Sequence, residues 1–99
     1  MHARIPLDRQ RVEVYCRRNH VRRLALFGSV LRADFGPDSD VDVLVEFEPG
    51  HVPGLAFIRM QSELSEILGR RVDLNTPGFL SRYFRDEVLS EAEDVYAAA

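Results

Sequence analysis

Along this chain, stretches with apolar residues at helical spacing alternate with short runs that are apolar almost throughout, and that alternation sets the expected elements. Between Leu7 and Asn19, the residues Val12, Tyr15 and Cys16 fall at helical spacing among Arg9, Arg11, Arg17 and Arg18, and Asp8 is placed to cap, so a first helix is expected there. Val21 to Phe27 reads as a strand. Gly28 to Ala33 reads as a short helix that ends at the turn-forming run Phe35-Gly36-Pro37-Asp38. A second strand is expected from Asp40 to Glu48, and the prolines and glycines between Glu48 and Gly54 mark a loop. Leu55, Ile58, Met60, Leu64, Ile67 and Leu68 keep near a 3.6-residue period, predicting a helix from Leu55 to Leu68 that Gly69 closes. Arg71 to Asn75 gives a third strand. Thr76-Pro77-Gly78 then turns into a last helix from Phe79 to Leu89, followed by a short edge strand around Val95 and Tyr96. No repeat and no linker interrupts this order.

Composition narrows the picture. A chain of 99 residues is expected to form one small domain, residues 1–99, with a single core and no second substrate-binding domain. Apolar residues make up 45% of it, which argues for a folded globule over disorder, and no run reaches the length needed to cross a membrane. The opening MHARIPLDRQR lacks the apolar centre of a signal peptide, so a soluble cytoplasmic protein is expected. Cys16 is the single cysteine, can form no internal disulfide, and reads as a semi-buried helix residue. The formal charge of −3 disfavours a surface built to hold a polynucleotide, while a small nucleotide remains compatible. Arg17, Arg18, Arg22 and Arg23 form a basic group that fits a solvated face, or attraction to an acidic partner or to phosphates. His2, His20 and His51 are scattered and read as surface or loop residues.

The chemistry concentrates between Phe27 and Val45, in FGSVLRADFGPDSDVDVLV. Side chains alternate along a strand, so Asp40 and Asp42 share a face, and two carboxylates that close repel unless a cation lies between them. Oxygen ligands of this kind favour Mg²⁺ over Zn²⁺. An exposed hairpin edge carrying two acids is the plainer reading. Against it, the aspartates are poor strand formers set directly before Val43-Leu44-Val45, a run that looks buried. Gly28 allows close approach to the backbone, and Ser29 adds a hydroxyl and an N–H at the start of the short helix, which together suit phosphate oxygens.

These residues closely resemble the nucleotidyltransferase superfamily with the DNA polymerase beta type fold, and above all its minimal branch. That branch has Gly-Ser-x-x-Arg, a spacer, then Ser-Asp-x-Asp, matched here by Gly28, Ser29, Arg32, Ser39, Asp40 and Asp42. The later Arg70-Arg71-Val72-Asp73-Leu74 supplies Asp73 where the family has its third carboxylate; taken alone, Asp73 also reads as a solvent-facing residue of an alternating strand. Ala33 departs from the glycine common in the minimal branch. The resemblance implies an α/β or α+β architecture, a small mixed β-sheet with packed helices around a polymerase-beta-like core. It further implies ATP held by Gly28 and Ser29, and two Mg²⁺ ions shared by Asp40, Asp42 and Asp73. Arg32 fits either a contact to the triphosphate or a pairing with Asp34, and Ser39 fits a role in shaping the turn before the second strand.

Minimal relatives act as antitoxins that transfer AMP to a HEPN-type toxin ribonuclease, so the resemblance implies a protein acceptor. A non-catalytic antitoxin that masks its partner by binding is the alternative. The apolar set Phe79, Leu80, Tyr83, Phe84, Val88 and Leu89 reads either as core or as a stripe for such a partner.

Overall fold

The computed structural model describes residues 7–32, 35–80 and 82–98, with the Phe79 side chain excepted; His2, Ala33 and Asp34 lie outside them. The order is α1 (Arg9–Arg18), β1 (Val21–Phe27), β2 (Val41–Phe47), α2 (Ala56–Leu68), β3 (Val72–Asn75), α3 (Arg85–Glu91) and β4 (Glu93–Ala97), with single 3-10 turns at Gly28–Leu31 and Pro77–Phe79. The strands form one mixed sheet in the order β3-β2-β1-β4. β1 pairs antiparallel with β2 and β4, whereas β2 and β3 run parallel because α2 carries the chain back between them. This is the mixed α/β architecture that the sequence leads one to expect.

Local chemistry explains the boundaries. Asp8 accepts a hydrogen bond from the Arg11 N–H at 3.2 Å and so caps α1. Gly69 ends α2 in the left-handed conformation at φ 68°, which glycine adopts without strain. Alternation along the strands then divides the core. Leu24, Leu26, Val41, Val43, Val45, Val72 and Leu74 pack with Val12, Tyr15 and Cys16 of α1 and Met60 and Leu64 of α2. On the other face, among the described residues, Ala25, Phe27 and Leu44 pack with Leu80 and Val88, and Leu89 and Ala92 lie beside them. Asp42 lies on this thinner side, one step from Val41 and Val43.

Several expectations change. α2 begins at Ala56, and Leu55 and Ile58 are exposed, because at about 100° per residue they fall on the opposite side of the helix from Met60 and Leu64. The helix expected from Phe79 to Leu89 forms only from Arg85 to Glu91; Leu80 is extended at ψ 142°, so Leu80 and Val88 reach the same cluster from separate segments. Tyr83 and Phe84 are exposed, so the expected aromatic stripe is not one helix face. Cys16 is wholly buried, and burial pushes its thiol up to about 12.

The second and third strands each start one residue later than expected, at Val41 and Val72, and the edge strand around Val95 and Tyr96 is β4. Its pairing with β1 is reinforced by Arg23, which bridges Glu46 at 3.1 Å and Asp94 at 2.5 Å. The basic group also resolves: Arg17 pairs with Glu13, Arg18 with Glu63 and Arg22 with Glu46, so each of the four arginines has a carboxylate within the chain. Among the described residues no helix is long and apolar enough to cross a membrane.

Candidate active site

Three aspartates converge where β1 ends and β2 and β3 begin. Asp42 is the second residue of β2, its antiparallel partner is Phe27 at the last position of β1, and its parallel partner is Asp73 on β3. In-register neighbours on adjacent strands lie about 4.8 Å apart, so the two side chains stand next to each other on one face. Asp40 lies just ahead of the strand, exposed, with Arg71 at 3.8 Å. The carboxyl of Asp42 is pushed above the ordinary carboxylate range, first by burial and then by Asp73 and Asp40, while Arg32 pulls it back. Around Asp42 the acidic neighbours outweigh the basic one.

Gly28 follows β1 directly and stands against Asp42. Its φ is 75°, and a Cβ added there would lie 3.3 Å from Asp42 Cγ and overlap Oδ2. The sequence reading assigns the missing side chain to phosphate access; the structure adds that the same space is already used by the Asp42 carboxylate. Ser29 takes its place in the 3-10 turn, where its carbonyl accepts the Arg32 N–H at 2.9 Å.

The remaining candidates are held differently. Arg32 reaches Glu91 at the end of α3, 3.7 Å away, and Asp34 lies outside the described residues. Ser39 closes the turn before β2: its Oγ accepts the Gly36 N–H, and its own N–H donates to the Gly36 carbonyl, both at 3.1 Å. A cleft of about 450 Å³ beside Asp40 is lined by Pro37, Ser39, Gly69, Arg70 and Arg71, and another of about 380 Å³ borders Arg32 and Glu91. A third, about 460 Å³, lies between α1 and α2 on the opposite face of the sheet.

Sequence reasoning passed over the residues that steady this region. Arg70 donates to the carbonyls of Gly36 at 2.5 Å and Ser39 at 3.3 Å, and its guanidinium stacks 4.3 Å over Phe35, tying the turn ahead of Asp40 to the entry of β3. On the outer edge of β3, Ser65 Oγ accepts the Val72 N–H at 3.1 Å and Gln61 Oε1 accepts the Leu74 N–H at 2.9 Å. These bonds fix the backbone on both sides of Asp73. The available signal was small: two polar residues, spaced one turn apart on a helix that must cross the sheet edge.

The model of the nucleotidyltransferase domain family matches residues 9–95. A Methanocaldococcus jannaschii protein described as a candidate protein adenylyltransferase is 40% identical over 75 residues, 76% of this chain and 80% of that protein. The protein adenylyltransferase MntA of Thermococcus cleftensis is 42% identical over 72 residues, 72% of this chain and 71% of its own. A solved structure described as a candidate minimal nucleotidyltransferase superposes with a TM-score of 0.70 at 39% identity, covering 85% of each chain. A toxin–antitoxin crystal structure with AMP-PNP shares the fold, with a TM-score of 0.73 at 20% identity over 93% of this chain and 75% of that one.

Proposed function

This chain belongs to the nucleotidyltransferase domain family, and from that premise we propose that it transfers AMP from ATP to a hydroxyl of a partner protein, a HEPN-type toxin, and thereby acts as its antitoxin. The observation that carries the reading is the meeting of Asp42 with Asp73 and Asp40 at one end of the sheet, where a half-buried carboxylate is left with more negative than positive neighbours. An all-carboxylate donor set of this kind fits Mg²⁺, which Asp40, Asp42 and Asp73 would hold. When bound, the metal supplies charge neutralisation on the phosphates and a lower pKa for the attacking hydroxyl.

The chain's own groups do the rest. Gly28 and Ser29 present backbone and hydroxyl to the phosphates, and Arg32, at the far end of the 3-10 turn, adds positive charge beside them. Asp73 accepts the acceptor's proton on its carboxylate as the hydroxyl oxygen bonds to the α-phosphorus and the bond to pyrophosphate breaks. Positioning carries much of the rate, because two reactants held together react as one molecule. The acceptor comes from outside: relatives named protein adenylyltransferases and a toxin–antitoxin neighbour of the same fold support a protein as its source.

The test is to incubate the purified protein with each labelled nucleoside triphosphate, Mg²⁺ and the HEPN-type product of a neighbouring reading frame. Intact-protein mass spectrometry is expected to show the partner gaining one or more AMP units from ATP, with little product when the partner is left out. Asp73→Asn is expected to bind the partner without modifying it. If that variant protects cells as well as the parent, and no mass is added in either case, neutralisation is by binding alone and the transfer reading falls.

A further inference from the structure

The three histidines look unrelated in the sequence, yet the fold brings two of them together. His20 precedes β1, Glu48 follows β2 and His51 lies in the loop that leads to α2; the ligand atoms of all three come within 4.8 Å of one another. The two imidazoles are stacked, with centroids 4.0 Å apart and planes inclined by 16°. We propose that His20, Glu48 and His51 form a second divalent-cation site, of the zinc class, that fastens the loop after β2 to the turn before β1.

Backbone hydrogen bonds already set the spacing of these residues. The Glu48 N–H donates to the His20 carbonyl at 2.9 Å, extending the β1–β2 ladder by one step, and the His51 N–H donates to the Glu48 carbonyl at 3.1 Å. The ladder and the turn hold the three backbones in place, so closing on an ion asks for side-chain rotation alone, turning the two stacked rings until both planes meet it. His20 sits in the left-handed region at φ 56°, a conformation uncommon for a non-glycine residue, and this turn aims its ring back towards the loop.

The donor set decides which cation. Two imidazoles and one carboxylate make a borderline N₂O set that suits Zn²⁺ and its transition-metal neighbours, whereas Mg²⁺ favours oxygen and keeps its water. All three side chains are exposed, so water can complete the coordination. The site is also remote from the aspartates. Val21 pairs with Phe47 at this end of the β1–β2 ladder and Phe27 with Asp42 at the other, and six strand residues span about 20 Å. This inference therefore stands apart from the transfer reaction. An ion here would cross-link residues 20, 48 and 51 and contribute its binding free energy to the folded state.

The full chain without an affinity tag, stripped with chelator, would be titrated calorimetrically with Zn²⁺ in excess Mg²⁺. The expected result is one Zn²⁺ per chain, undisturbed by Mg²⁺. Affinity should fall by more than the ~10–100-fold that loss of an outer-shell partner costs when His51→Ala or Glu48→Gln is introduced. Because these side chains are exposed, both variants should fold, and Asp42→Asn should bind Zn²⁺ like the parent. Added Zn²⁺ should raise the melting temperature of the parent and of Asp42→Asn but not of His51→Ala. His20→Gly, which suits the positive φ, should lose the ion while melting no lower than the parent in chelator. The proposal is overturned by unsaturable binding, which leaves a stacked histidine pair only, by unchanged binding in His51→Ala, or by loss of binding in Asp42→Asn.

Discussion

The Asp42 carboxyl is raised by burial and by the charges of Asp73 and Asp40, so the native state holds its proton more tightly than the unfolded chain does. For such a group the unfolded state binds fewer protons in the window just above the ordinary carboxylate value, and stability falls as pH rises through that window. In chelator, the parent should therefore lose melting temperature towards neutral pH more steeply than Asp42→Asn. At neutral pH the variant should be the more stable of the two, yet it should transfer no AMP; Mg²⁺ should help the parent alone. Thermal melts across pH, with and without Mg²⁺, check this. Gly28 carries the opposite expectation. Alanine there must adopt φ 75° and crowd the Asp42 oxygen, so Gly28→Ala should cost about 1–2 kcal/mol in urea unfolding and weaken binding of an ATP analogue with Mg²⁺.

Among the elements, β3 depends most on its neighbours. It has four residues, pairs among the described residues only with β2, and rests its outer N–H groups on Ser65 and Gln61 of α2. Gln61→Met keeps the bulk but removes the acceptor, so it should cost about 1–3 kcal/mol and speed hydrogen exchange at the Leu74 amide, read by NMR. The central strands were legible in the sequence because runs such as residues 24–27 and 43–45 are apolar almost throughout, being buried on both faces, and α1 because its buried side repeats every 3.6 residues. The helix expected at Phe79–Leu89 was not, since apolar spacing cannot tell one helix from two segments that meet in the same cluster. The side-by-side aspartates follow a similar rule. Strand alternation led to one face for Asp40 and Asp42, whereas β2 starts at Val41 and leaves Asp40 just ahead of it; the nearness of Asp73 arises from parallel pairing across α2, which no local pattern encodes, and it entered only through resemblance. The meeting of His20 and His51 was invisible for the same reason.

For the molecule as a whole, the two faces of the sheet are unequal, with α1 and α2 covering one side while a few side chains cover the other. β4 matters to the thicker side, because it closes the edge of β1 and sends Val95 and Tyr96 against the larger cluster. A chain ending at Glu91 would forfeit that ladder together with roughly 1.5–3 kcal/mol for each large apolar side chain left unburied. Set against a total stability of about 5–15 kcal/mol, the loss should abolish the cooperative transition in a thermal melt followed by circular dichroism.

The parallel pairing of β2 with β3 also has a bearing on time. The antiparallel pair of β1 and β2 needs only the chain between them, whereas Asp73 meets Asp42 across the whole length of α2. Distant pairings of this kind close late in folding because the loop entropy is spent before the contacts form. The acidic cluster therefore rests on a pairing more distant in sequence than the β1–β2 ladder beside it. By the same measure the β1–β4 pairing is the most distant of the three, so closing the sheet at its far edge spends more loop entropy than bringing Asp73 beside Asp42.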